Sequence, residues 1–450
     1  MRKIESTLQA LEDGKLSSRA LTDQCLEKAT SSEGEGALVF TKLLAEAARA
    51  EADAVDRRRK AGIWTGPLGG IPVSVKDLFD VRGLPTTAGS VVLSDAAPAD
   101  RDAVVVARLR AAGAVIVGRT NMTEFAFSGL GLNPHYGTPA NPFDRKGRRI
   151  PGGSSSGGAV SVSDGMALSA IGTDTGGSVR IPAALCGLVG FKPTARRIPT
   201  SGTLPLSSSL DSIGPLAASV RCCRILDGVL SGCAVEPAEE VLVKGLRLAV
   251  PKTRALDDVD PHVGHTFERA LSRLASAGAQ ITEIDVTEFV EIESAARIAT
   301  FPAAEAFAWH RELLKRYTDR YDPRVAVRIA RGETISAADY LWLCEKRAAL
   351  IRSIQSRVQG FDALVMPTVP IVAPAIADLD TDDDRYHKIN LLMLRNPTYV
   401  NFLDGCALSI PCHVAGEAPV GFMLARFDHD DHRLLTIGEA IEKEISDQAN

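Results

Sequence analysis

The chain has 450 residues, with 51 basic against 56 acidic side chains and a formal net charge of −5. Charge so nearly balanced gives no global pull toward nucleic acid or an anionic membrane. No apolar run approaches the roughly 18 residues of a membrane span, and the N-terminus reads as an amphipathic helix rather than a secretory leader.

In chain order, residues 3–60 predict two or three helices, the second near 38–59. Residues 71–75 read as a strand, 102–112 as a helix begun by Asp100, and 114–118 as the next strand. A helix is expected over 158–165, with unusually polar Ser161, Ser163 and Asp164. A strand follows over 166–173 and a short helix over 179–185. Farther on come a strand at 246–251, a helix at 262–278 with Phe267, Leu271 and Leu274 on one face, and a strand at 279–286. Residues 290–360 read as mostly helical, 361–367, 408–413 and 420–427 as strands, and 432–445 as a closing helix. Alternating helices and strands favour an α/β fold, its sheet buried under helices on both faces. With no low-complexity linker or internal repeat, residues 1–450 read as one large domain.

Eight cysteines, at 25, 186, 222, 223, 233, 344, 406 and 412, show no metal-ligand spacing. The pattern predicts reduced thiols in a cytoplasmic protein and implies neither a metal nor a cofactor.

The chemistry concentrates in residues 151–194. Two serine-bearing glycine turns stand there, Gly152-Gly153-Ser154-Ser155-Ser156-Gly157-Gly158 and Gly172-Thr173-Asp174-Thr175-Gly176-Gly177-Ser178. Upstream, Gly70-Ile71-Pro72-Val73-Ser74-Val75-Lys76-Asp77 ends an apolar run with a lysine. A serine hydroxyl attacks an acyl carbon only when a neighbouring base takes its proton. Lysine serves as that base only when neutral, so burial away from carboxylates must lower its pKa from ~10.4. Strand alternation points Asp77 away from Lys76. Glycine–serine stretches are by themselves usually loops. A phosphate-binding loop needs a lysine after its last glycine, where Ala159 follows Gly158.

These three segments, in this order and spacing, resemble the amidase signature family of Ser–cis-Ser–Lys amidohydrolases. The resemblance runs from about residue 67 to 215, the expected catalytic core, and thins beyond it. It implies a central twisted mixed sheet of roughly ten strands between helical layers. It also implies Ser178 as nucleophile, Ser154 as the relay serine after a cis Gly153–Ser154 bond, and Lys76 as base. Thr175, Gly176, Gly177 and Ser178 would form the oxyanion hole, with the short helix after Ser178 adding its positive end. Asp174 and Arg180 would support the turn from behind, paired with each other.

Substrate residues are less legible. Met122, Thr123, Phe125, Phe127 and Ser128 belong to a segment that borders the acyl pocket in the family, and Ser155 could hydrogen-bond the triad. His135 and Tyr136 are candidates for the mouth. The basic run Arg145-Lys146-Gly147-Arg148-Arg149 and the pair Arg196-Arg197 are weak candidates for binding an anion. Residues 290–400 form the variable region where specificity would lie. The expected partner is a small-molecule amide, with no nucleic acid or membrane, and a homodimer is left open. Three functions remain at this point. One is a stand-alone amidase acting on a small carboxylic amide or ureido compound. The second is the glutamine-hydrolysing component of a tRNA-dependent amidotransferase, its A-type chain. The third, a non-catalytic scaffold, fits poorly with a complete Lys76/Ser154/Ser178 set.

Overall fold

In a computed structural model describing residues 1–233 and 241–446, eleven strands among the described residues build one mixed sheet. They are β1 (Phe40–Leu43), β2 (Pro72–Lys76), β3 (Val115–Thr120), β4 (Ser169–Asp174), β5 (Val189–Lys192), β6 (Ser212–Ala217), β7 (Arg247–Pro251), β8 (Gln280–Ile284), β9 (Ala363–Pro367), β10 (Cys406–Pro411) and β11 (Gly421–Arg426). Their order across the sheet is β1-β3-β2-β4-β6-β5-β10-β11-β9-β7-β8. Strands β3, β2 and β4 run parallel, as do β9, β7 and β8, while the pairs between these two blocks are antiparallel.

Alternation sorts each strand onto two faces. Along β9, Ala363 and Val365 pack into one apolar cluster and Leu364 and Met366 into another. The first cluster, with Val73, Val75 and Ile171, is covered by helices Val220–Ser231, Pro261–Ser276 and Asp431–Ser446. On the opposite face lie helices Ser156–Ser163 and Arg180–Leu185, then Thr287–Ala296, Ala337–Arg357 and Asp383–Phe402. The serine turns and the variable region therefore share one side of the sheet.

Three local readings need correction. The helix expected over 38–59 is split: β1 interrupts it and pairs antiparallel with β3, before a helix resumes at Ala45–Lys60. Strands β5 and β6 are not evident in the sequence, because Gly214 and Pro215 inside β6 argue against a central strand. Pairing of β6 with β5 is confined to Leu216 and Ala217, so neither residue has to extend that ladder. The helix near 102–112 begins at Val104, not after an Asp100 cap. Its neighbour Asp102 instead accepts from Arg82 N at 2.8 Å and pairs with Arg110 at 3.1 Å.

The polar residues of helix Ser156–Ser163 are all engaged. Ser161 and Ser74 hydroxyls share a 2.8 Å hydrogen bond, and Ser163 Oγ donates to the Ala159 and Cys186 carbonyls, each at 3.1 Å. Asp164, just past the helix, pairs with Arg145. All eight cysteines are free thiols, and among the described residues no helix is long and apolar enough to cross a membrane.

Gly214 marks the tightest approach in the central sheet, where a Cβ would lie 2.0 Å from the Phe191 carbonyl oxygen. Gly214→Ala must push β5 and β6 apart, and overpacking of this kind costs about 1–3 kcal/mol. Chemical denaturation is expected to show a lower midpoint with an unchanged slope; an unchanged midpoint would refute this packing.

Candidate active site

Because β2 and β4 are parallel neighbours, their carboxyl ends emerge together, where open α/β sheets commonly bind ligands. Lys76 is the last residue of β2, and Thr173 and Asp174 end β4. Ser74 and Lys76 face the serine helix, whereas Val73 and Val75 face the opposite core. Asp77 continues the alternation: it pairs with Arg119, accepts from the Thr87 hydroxyl, and accepts from Gly89 N at 3.0 Å. The carboxylate next in sequence is thus committed elsewhere.

Lys76 is wholly buried and donates to Ser154 Oγ at 2.7 Å and to Thr173 Oγ1 at 2.9 Å. Burial drives its pKa down to about 7, against the opposing pull of the Asp211 and Asp174 charges. Thr173 is a partner that sequence reasoning missed, although it stands within the second glycine turn.

The Gly153–Ser154 peptide bond is cis. Gly153 N donates to Gly129 O at 2.8 Å and Thr123 N to Ser154 O at 3.1 Å, fixing both sides of that bond. A Cβ at 153 would fall 2.5 Å from Gly131 N, so only glycine fits. Ser155 N donates to Ser178 O at 3.3 Å and ties the two turns together. Among the described residues no hydrogen bond joins the Ser154 and Ser178 hydroxyls. Ser178 lines the adjacent cavity.

Asp174 organises the turn that carries Ser178. Its carboxylate accepts from Gly177 N at 2.9 Å, Val179 N at 3.1 Å, Arg180 N at 3.3 Å and Asn401 Nδ2 at 2.9 Å. The fully buried Arg180 pairs with it at 2.8 Å and reaches Pro397 O at 3.1 Å. Burial alone would raise the Asp174 pKa, but the Arg180 charge and these bonds hold it well below the carboxylate range. Two expectations change. The Gly177 N–H is spent on Asp174, leaving Thr175, Gly176 and Ser178 N–H without acceptors among the described residues. The helix Arg180–Leu185 begins under the Asp174 carboxylate rather than open toward Ser178. Thr175 Oγ1 donates to Asp211 Oδ1 at 2.5 Å, and burial pushes the Asp211 pKa up to about 6.

A cavity of about 190 Å³ opens over Thr175, Gly176 and Ser178. Phe127 and Ser128 line it; Met122, Thr123, Phe125 and Ser155 do not. The backbone turns through positive φ at Phe125 (49°) and Ala126 (60°), which carries Phe125 back against His310 (ring centroids 4.4 Å apart). Met122 is fully buried in the core, Thr123 Oγ1 lies against Gly153, and Ser155 Oγ against Gly172. His135 bonds Glu124 at 2.9 Å instead of lining the mouth.

The arginines among the suspected anion-binding residues each have an acid beside them. Arg145 pairs with Asp164 and Arg149 with Asp144 (2.9 Å), while Arg148 lies 3.6 Å from Glu35. Arg196 holds Asp404 at 2.6 Å and Arg197 holds Asp227 at 2.8 Å. The cations that do line the cavity are Arg328, on helix Pro323–Ala330, and Arg331 just after it. Nothing in the spacing of residues 323–331 marks them, because their role depends on how that helix crosses the site.

Similarity to known proteins agrees with this geometry. The family model Amidase matches residues 20–435. The chain is 40% identical to 2-amino-5-chloromuconic acid deaminase of Comamonas testosteroni, covering 88% of this chain and 86% of the relative. It is 34% identical to the A-type chain of the Glutamyl-tRNA(Gln) amidotransferase of Roseiflexus sp. (strain RS-1), covering 98% and 96%. A crystal structure of an amidase superposes with a TM-score of 0.89 at 32% identity, over 99% of this chain and all of the other. The chain therefore belongs to the amidase family and is an amide-hydrolysing enzyme.

Proposed function

We propose that this enzyme cleaves a small carboxylic amide to an acid and ammonia or an amine, through an ester on Ser178. The observation that carries the reading is the buried Lys76 amine, bonded to Ser154 at 2.7 Å with no carboxylate partner. In this scheme neutral Lys76 takes the Ser154 proton as Ser154 Oγ takes that of Ser178. Ser178 Oγ bonds to the carbonyl carbon, and the carbonyl oxygen becomes an anion facing the Gly176 and Ser178 N–H groups. The C–N bond then breaks, and the leaving nitrogen receives the proton returned from Lys76 through Ser154. Water adds to the ester as the same path takes its proton, the bond to Ser178 Oγ breaks, and that proton returns to Ser178 Oγ as the acid leaves. The Ser154–Ser178 contact would close as substrate binds, since catalytic hydrogen bonds often tighten only in the complex. Cavity size favours a small substrate, because drug-sized ligands occupy roughly 300–1,000 Å³. The relative's name, a deaminase of an amino- and chloro-substituted muconic acid, supports a small acid as well. Helices of the 290–400 region wall the cavity, which supports their reading as the specificity segment.

Similarity to the A-type chain of an amidotransferase favours a second reading, glutamine hydrolysis with ammonia passed to a partner. Ammonia release by the chain purified alone separates the two. Turnover of small amides but not glutamine supports the first reading; glutamine turnover that needs added partner chains supports the second.

A fluorophosphonate probe should label the wild type and not Ser178→Ala; an unlabelled wild type at neutral pH defeats the serine reading. Lys76→Ala should lower kcat by at least ~10²-fold, the usual contribution of a general base. In the wild type, kcat/KM should rise with pH as the amine of the free enzyme loses its proton, half-maximal near about 7. A profile flat down to pH 5 would contradict an amine base.

The same shift affects stability. Below pH ~7 the amine is protonated both folded and unfolded, and the folded one is charged out of water. Between about 7 and the unfolded value of ~10.4 only the unfolded chain holds the proton, so stability rises with pH across that window. Lys76→Met lacks this dependence. Its stability relative to wild type should be most favourable below pH 7 and decline toward pH 10, read from denaturant midpoints at both ends. A constant difference would contradict a buried neutral amine.

A further inference from the structure

Arg328 and Arg331 stand in the cavity wall with Ser178, and no aspartate or glutamate lines that wall. Neither arginine has an ion pair among the described residues. Arg328 Nη1 is shielded from solvent and has no hydrogen-bond acceptor among the described residues. Its guanidinium lies over the Phe127 ring, 4.8 Å from the centroid, which fixes its plane while leaving its edge nitrogens for another group. The other arginines that the sequence offers as anion-binding candidates each have an acid beside them. Arg59, Arg119 and Arg224 also have one shielded nitrogen without an acceptor, but their other nitrogens are bonded, whereas the Arg328 guanidinium has no hydrogen bond among the described residues and calls for an explanation. A planar fork of donors matches a carboxylate in bidentate fashion.

We propose that the substrate carries a carboxylate, held by Arg328 with the exposed Arg331 adding positive potential at the rim. This rests on the Ser178 amidase reading and names its substrate class: half-amides of short dicarboxylic acids, or ureido acids of similar length. The carboxylate would anchor one end while the amide at the other lies over Ser178. The 190 Å³ volume suits a molecule of that length.

The test compares ammonia release from malonamate, succinamate and maleamate with that from their neutral diamides. In the wild type, at least one half-amide should exceed its diamide in kcat/KM by at least about 100-fold, mostly through KM, because a site built for one polar group rejects analogues lacking it. Arg328→Met should bring that ratio close to one, and Arg328→Lys should restore part of it. Equal or better use of the diamides by the wild type overturns the proposal, as does an undiminished ratio in Arg328→Met. Should Arg328→Met fail to fold, protection of wild-type Ser178 from the fluorophosphonate decides. Succinate should protect at concentrations where succinamide does not; equal protection, or none, overturns the proposal. Absence of both labelling and ammonia release across the panel defeats the amidase reading itself, and this inference with it.

Discussion

On the proposed reading, everything at this site depends on keeping one amine uncharged inside the protein. An ammonium at position 76 could not accept a proton, and nearby carboxylates tend to stabilise it. Three carboxylates stand close enough in sequence or space to do so, and each is held by other partners. Asp77 is turned to the opposite face and paired with Arg119. Asp174 is saturated by Arg180, Asn401 and three backbone N–H groups. Asp211 accepts from Thr175 Oγ1 and two backbone N–H groups, and its pKa is itself raised to about 6 by burial. Lys76 is left with two hydroxyls, which can accept from it without adding charge.

That constraint explains why the site sits where it does in the sheet. Parallel β2 and β4 deliver Lys76 and Thr173 to the same end, and the pleat sends Asp77 to the other face. An antiparallel pairing of these two strands would bring opposite ends together and separate the groups. The Asp174–Arg180 pair is equally structural in purpose. A buried ion pair is weak evidence for stability, and losing one partner leaves the other stranded at about 3–5 kcal/mol. Here the pair shapes the turn that presents Ser178 and three N–H groups without acceptors among the described residues. The cost of burying it is offset by a dense set of hydrogen bonds, which also anchor helix Asp383–Phe402 through Asn401.

The catalytic core is legible in the sequence because its chemistry is local. Ser154, Ser178, Asp174 and Arg180 lie in or beside glycine-marked turns and Lys76 ends an apolar strand; their order and spacing carry the family resemblance that implies their roles, and the α/β alternation follows from periodicity. What stays hidden is set at long range. Strand β6 is disguised by Gly214 and Pro215, which are tolerable only because its pairing with β5 stops short. The cavity wall is misjudged at Phe125 because two consecutive residues in the left-handed region rotate the chain, and composition does not encode that turn. Arg145, Arg148, Arg149, Arg196 and Arg197 look like anion-binding candidates because their acidic partners are not evident from the runs that contain them. Two of these partners lie far away in sequence: Glu35 is more than 100 positions from Arg148, and Asp404 more than 200 from Arg196.

On the proposed reading, catalysis and recognition are divided between two kinds of element. The reacting groups are fixed at strand ends and tight turns, where a backbone hydrogen-bond network holds positions closely. The recognition groups lie on helices between 287 and 402 that pack over the same sheet face. A helix can exchange side chains on its inner face without disturbing a strand end, so the cavity can change charge while the Lys76–Ser154 bond stays in place. Arg328 illustrates the division: it lies over Phe127 and makes no bond to the lysine, the two serines or Asp174. In the proposed scheme its orphan donor governs substrate choice, whereas the amine at 76 governs whether any amide is cut at all.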